Sequence, residues 1–144
     1  MDPFDLDRFV TAQADSYSAA LAELRRGRKR SHWMWWVFPQ LAGLGHSATA
    51  RAYAIGSAAE ARAYLSHPLL GARLVEATMA VTAAVGTAEA ILGPVDALKL
   101  RSSMTLFDAV APDPAPFATA LARFYHGERD EATLRLLEIV SPRA

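Results

Sequence analysis

The segment Ser31-His32-Trp33-Met34-Trp35-Trp36-Val37-Phe38-Pro39-Gln40 concentrates residues able to do chemistry: all three tryptophans fall within four positions, directly after a histidine. In one helical turn such rings point several ways, so a single face cannot bury them all. Either they plug the core, or some of them wall a cleft where a planar ligand stacks and indole N–H groups donate. Just before lies Arg25-Arg26-Gly27-Arg28-Lys29-Arg30, five cations in six residues. At a helix C-terminus cations suit the dipole; they could equally form an electrostatic funnel for phosphate or another polyanion. Just after comes Gly43-Leu44-Gly45-His46-Ser47, leading into Ala48-Thr49-Ala50-Arg51. A glycine-rich loop ahead of a serine-capped helix can present free backbone N–H groups to an anion, with Arg51 near the first turn. The same residues also make an ordinary turn: no strand precedes them, and the full dinucleotide fingerprint is missing.

A second polar set lies on the helix carrying Asp96, Lys99, Ser102 and Ser103. At about 100° per residue, Asp96, Lys99 and Ser103 fall within about 60° of one another, between one apolar stripe of Leu100, Met104 and Phe107 and a second of Val95, Leu98 and Leu106. Only Arg101 and Asp108 mark a clear water face. A buried ammonium is costly unless paired, and Asp96 is placed to pair Lys99 at i,i+3. The set reads as a structural ion pair, or as a lysine and hydroxyls aimed into a pocket where burial tunes the lysine.

Together these residues suggest a pocket for an anionic small molecule, phosphorylated and planar-ringed, of nucleotide or ADP-ribose type. Trp33 and Trp36 would stack the ring beside Gln40, while Gly43, Gly45, Ser47, Arg51, Lys99, Ser102 and Ser103 would hold the rest of the ligand, phosphate included. A cleft lined by Trp33 or Trp36 with His32 is then expected to be the largest polar one. If the pocket is catalytic, the reaction class is hydrolysis of a glycosidic or phosphate-ester link, with Asp96 or Glu60 as base and His32 as acid. No cofactor is implied. None of the four histidines pair at i,i+4 and there is no HExxH, so no helical zinc site is expected. The absence of cysteine rules out disulfides, thiolate metal sites and cysteine nucleophiles. The rival reading is a non-enzymatic protein-interaction module: the tryptophans pack the core and the basic tract docks an acidic partner.

The elements that must position these residues are helices. Alanine is abundant, strand-like alternation is nearly absent, and caps recur: Asp2-Pro3 ahead of a helix running to Gly27, a Ser57–Glu60 capping box, Gly93-Pro94, and Asp130 ahead of a last helix with Leu134, Leu137 and Ile139 inward. At 144 residues the chain has the size of one domain. We expect a compact all-α fold of about seven helices, residues 1–144, without a sheet. Fifteen basic and fifteen acidic residues cancel, which disfavours nucleic acid as a partner. Residues 31–50 carry no charge, but Pro39, Gln40, Gly43, Gly45 and two histidines do not suit a membrane span. The N-terminus is acidic where a secretory signal would be basic, so a cytoplasmic protein is expected; as to oligomeric state, a monomer is expected.

The order Asp5-Leu6-…-Arg8-Phe9-…-Ala12-Gln13, His32-Trp33-Met34-Trp35, Phe38-Pro39-Gln40, Gly43-Leu44-Gly45-…-Ser47, Tyr53-Ala54-Ile55, Glu60-Ala61-…-Tyr64-Leu65, His67-Pro68-Leu69-Leu70-Gly71-…-Arg73-Leu74, Lys99-Leu100-…-Ser102-Ser103-Met104-Thr105-Leu106-Phe107 and Gly127-…-Asp130 resembles the DUF1810 family over nearly the whole chain. The resemblance implies a compact, mostly helical, single-domain bacterial protein and no settled reaction. The family's distinctive residues coincide with the polar set: His32, the tryptophans, Gln40, Lys99, Ser102 and Ser103.

Overall fold

A computed structural model describes residues 1–140. In chain order the helices are α1 (Asp7–Ala14), α2 (Tyr17–Arg25), α3 (Met34–Val37), α4 (Ala48–Ala52), α5 (Ala58–Ser66), α6 (Leu70–Ala83), α7 (Ala88–Leu92), α8 (Pro94–Val110), α9 (Ala115–Tyr125) and α10 (Glu131–Val140). Seven of the ten run eight residues or more, which meets the expectation of an all-α fold of about seven helices. Among the described residues there is no strand, and β pairing is limited to an isolated parallel bridge between Leu41 and Ile55.

The longest helix, α8, is the central post. Gly93, at φ +90°, and Pro94 at its first position start it abruptly after α7, since proline there has no N–H to waste and its φ is already helical. α5, α7, α9 and α10 pack against α8, while α2, α5 and α9 also flank α6. The buried stripe Leu100, Met104 and Phe107 faces the core as the helical period requires. Phe107 joins an aromatic run, 5.5 Å from Tyr64 and 5.8 Å from Phe117 between ring centroids. α5 and α6 cross so closely that a Cβ on Gly71 would lie 2.0 Å from the Leu65 carbonyl oxygen.

Four local expectations are corrected. The helix expected from Pro3 to Gly27 is two helices, broken at Asp15-Ser16, where Ser16 leaves the helical region and its hydroxyl donates to the Ala12 carbonyl. α1 begins at Asp7, but Asp2 still acts as a cap, its carboxylate accepting from the Leu6 and Asp7 N–H groups at 2.8 and 2.9 Å. Those two bonds hold its pKa below the usual value. On α8 the water face is inverted: Val95 and Leu98 are exposed, whereas Asp108 is buried in an ion pair with Arg129 at 2.7 Å and Arg101 donates to the Glu128 and Arg129 carbonyls. Docking of α10 and the turn before it covers the charged side, which no helical wheel can register. Ile139 is exposed, because it lies some 200° around the helix from Leu137; Asp130 does cap α10, accepting from the Thr133 N–H.

Candidate functional site

The basic tract is a folded structure held by Glu23. At the end of α2, Gly27 adopts φ +73°, the left-handed cap conformation. The chain then turns back: Arg28 N–H donates to the Glu23 carbonyl and Lys29 N–H to the Ile91 carbonyl. One carboxylate oxygen of Glu23 accepts from Arg30 N–H, Ser31 N–H and Trp33 Nε1 at 2.7, 2.9 and 3.0 Å, and the other accepts from the Ser31 hydroxyl at 2.6 Å. Burial alone would push this carboxyl up, but the hydrogen bonds, foremost that from Ser31, prevail and hold its pKa at about 2. Glu23 escaped the sequence reading because a lone glutamate in an alanine-rich helix looks like solvent-facing surface.

The expected Asp96–Lys99 pair is present at 3.4 Å, with Lys99 half-buried. A partner not foreseen from sequence is Lys29, whose Nζ lies 2.9 Å from the other oxygen of Asp96. Thirteen of the fifteen basic residues are arginine; both lysines converge on this one carboxylate. Their ammonium groups also lie over indole rings, Lys29 at 5.2 Å from Trp33 and Lys99 at 4.9 Å from Trp35, an arrangement favoured by the ring quadrupole. A compact ammonium on a flexible stem fits such a crowded seat, which the planar fork of arginine would overfill.

The tryptophans divide. Trp33 is fully buried, so it is a core residue and its ring is closed to any external ligand, contrary to the stacking role expected for it. Trp35 and Trp36 are half-exposed, 5.9 Å apart, and Trp36 donates from Nε1 to the Ser16 hydroxyl at 2.8 Å. Gln13, fully buried, donates to the Trp36 carbonyl at 2.7 Å and to the Tyr64 hydroxyl at 3.1 Å, fixing α1 on α3 and α5.

The other candidates lie apart. Ser103 is fully buried and its hydroxyl has no partner among the described residues. Ser102 lies about 100° further around the helix, with Leu98 O at 3.2 Å and the capping Asp130 carboxylate at 3.3 Å as acceptors for its one hydroxyl proton. Gln40 is half-buried and its carbonyl accepts from Ile55 N–H at 2.9 Å. Gly43 sits at φ +102° against Leu136, and a Cβ on Gly45 would strike that of Ala50 at 2.6 Å. Ser47 caps α4 through the Ala50 N–H as expected, but α4 is five residues long and Arg51 stands exposed in its last turn, not its first. Glu60 meets Arg8 at 2.8 Å and accepts from Gly56 N–H at 3.0 Å. His32 is exposed with no ion-pair or hydrogen-bond partner for its ring among the described residues. The three candidate catalytic groups therefore share no partner.

A polar groove of about 880 Å³ runs along Arg101, the Gly127–Asp130 turn and the start of α10, and neither His32 nor a tryptophan is in its walls. Among the described residues no group of histidines and carboxylates is arranged to hold a metal ion, and no helix is long and apolar enough to cross a membrane.

These features define a small all-α protein whose polar cluster serves largely to lock one basic surface segment in place. The chain belongs to the DUF1810 family, proteins of unknown function, whose model matches residues 3–137. It is similar to the conserved hypothetical protein Rv1873 from Mycobacterium tuberculosis, known from a crystal structure: 54% identity, a TM-score of 0.93, and coverage of 94% of this chain and 98% of that one. No curated protein matches it.

Proposed function

We propose that this protein is a non-enzymatic interaction module that docks an acidic segment of a partner protein on its arginine tract. One observation carries the reading: Arg25, Arg26, Arg28 and Arg30 are exposed and have no ion-pair partner among the described residues, yet the backbone beneath them is tied at every step. A tract that only solvates a surface needs no such anchoring. A preordered one loses little entropy when it binds, and guanidinium forks match carboxylates bidentately. The test is fluorescence anisotropy with a labelled glutamate-rich peptide. Binding should weaken steeply as salt rises and fall at least about tenfold, some 1.4 kcal/mol, in the Arg26→Ala/Arg28→Ala/Arg30→Ala variant. Equal binding by that variant, or none by the parent, refutes the proposal.

A second reading, a surface site for a phosphorylated planar ligand of nucleotide or ADP-ribose type, is favoured by the half-exposed Trp35–Trp36 pair with Lys99 set over Trp35. Hydrolysis there by His32, Asp96 and Glu60 has weaker support, since both carboxylates already hold cations. Thermal shift with AMP and ADP-ribose tests it: a ligand at 100 times its Kd adds about 2.7 kcal/mol of stability, and Lys99→Met should abolish that gain. No gain with either compound counts against this reading.

A further inference from the structure

The solvent side of α6 is chemically unlike that of an ordinary surface helix. In Leu70–Ala83 the charged residues are Arg73 and Glu76 alone, and both are turned onto Tyr17: the Arg73 guanidinium stacks on its ring at 4.7 Å, and the Glu76 carboxylate accepts from its hydroxyl at 2.5 Å. Beside the exposed Glu76, what faces water is a stripe of Ala72, Val75, Met79, Ala80 and Ala83, with Met79 62% exposed. Isolated surface helices put charges there; a contiguous apolar track marks a contact surface.

The stripe is also concave. One groove, about 790 Å³, lies between α6 and the ends of α2 and α5, with Arg25, Leu65, Val75, Glu76 and Met79 in its walls. A second, about 400 Å³, continues past Met79 between α6 and α9 along Ala83, Asp113, Pro116 and Thr119. Met79 belongs to both, so the two form one track, and methionine's flexible thioether suits it to adapt to an apolar occupant.

The arginine tract stands at the edge of this track. α2 runs beside α6 in the same direction: Tyr17 reaches Arg73 and Glu76, and Gly27 abuts Ala84 and the carbonyl of Val85. Arg25 therefore lines the groove, and Arg26 and Arg28 emerge at its C-terminal end, exposed and unpaired among the described residues. Of the charges around the track, Glu76 is engaged by the Tyr17 hydroxyl and Asp113 by the Ala115 N–H, which leaves the arginines as the charges without a partner among the described residues; an apolar floor beside free arginines calls for one complementary occupant. We infer that the solvent face of α6 is a docking groove for an acidic amphipathic helix of a partner protein, apolar side down and carboxylates toward Arg25–Arg28. The inference rests on the proposed interaction role and names the partner's chemistry. From Ala72 to Ala83 the track spans about 17 Å at 1.5 Å per residue, which a partner helix of roughly three turns or more would fill.

Two synthetic peptides of one composition, leucine and glutamate, test it on the full chain: one with leucines at helical spacing, the other scrambled so that no apolar stripe forms. The amphipathic peptide should bind at least about tenfold tighter than its isomer, gain helical circular dichroism, and shift the backbone amides of Val75, Met79 and Ala83 together with those of Arg25–Lys29. Met79→Glu and Ala83→Glu, at exposed positions that should leave melting unchanged, should erase that preference. Arg26→Ala/Arg28→Ala should weaken both peptides. If the isomer binds as well, or if Met79→Glu has no effect, the groove is not the site although the arginine reading stands. If neither peptide binds, both fall. A concentration-dependent mass for the protein alone, lost in Met79→Glu, would show a second copy of the chain as the occupant and overturn the acidic helix.

Discussion

Two side chains, Glu23 and Asp96, hold the basic segment in place. Glu23 is buried and accepts four hydrogen bonds, and its folded pKa, about 2, lies below the ordinary 4.5. The unfolded chain therefore binds a proton more readily, so this stability is full above the ordinary pKa and is lost as pH falls through the folded one. That difference is worth roughly 3 kcal/mol. Chemical denaturation between about pH 5 and 2 should show the loss, and Glu23→Gln should be less stable at neutral pH but much flatter with acid; an unchanged acid slope would deny Glu23 the role. Asp96 separates two ammonium groups that would otherwise face each other. Because all three side chains keep some solvent contact, Asp96→Asn should cost about 1–2 kcal/mol, read as a lower urea midpoint at unchanged m, with faster hydrogen exchange at Lys29 N–H. Ser103 makes the opposite case: with its buried hydroxyl unpartnered, Ser103→Ala should be neutral or stabilising by up to about 1 kcal/mol. A clear loss in melting temperature would mean that the hydroxyl has a partner after all.

At the scale of elements, α6 has the most to distinguish it. Its inner face meets α5 through Gly71, and no side chain fits where a Cβ would sit 2.0 Å from a carbonyl oxygen. Gly71→Ala should force the two helices apart and cost about 3 kcal/mol, checked by calorimetry; a small effect would mean that α5 shifts freely. The outer face of α6 is apolar apart from Glu76, which sets it apart from α8, whose charged side is covered and whose exposed side is Val95 and Leu98. The two helices share one lesson. Amphipathic patterning predicts a buried face only when a single neighbour decides it, and both helices are flanked on several sides.

For the whole molecule, the pH range of stability follows from groups that lie far apart in sequence. On the alkaline side Tyr17, Tyr64 and Tyr125 are all held above the usual phenol range, burial being the foremost cause in each. Raised folded values mean that their contribution is full below about pH 10 and is lost as pH rises beyond it. Thermal melts from about pH 9 to 12 should fall, and Tyr64→Phe, which keeps the ring against Phe9 and Phe107, should shallow that fall; the same slope in the variant would place the loss elsewhere.

The helical fold was legible in the sequence because capping residues, breakers and a 3.6-residue period are local signals: Ser57, Gly93-Pro94 and Asp130 mark helix starts where the structure has them. The Asp96–Lys99 pair was legible for the same reason, being one turn apart on one helix. Its second cation, Lys29, was not: it lies in a separate loop, and only the packing of that loop on α7 brings the two together. Trp33 and Trp36 look equivalent as letters, three positions apart, yet Trp33 is closed off by Glu23 and the core while Trp36 remains half-exposed. Burial of a given ring, like the exposure of Val95 and Leu98, depends on which elements come to lie over it. Local periodicity carries no information about that; the tertiary arrangement decides it.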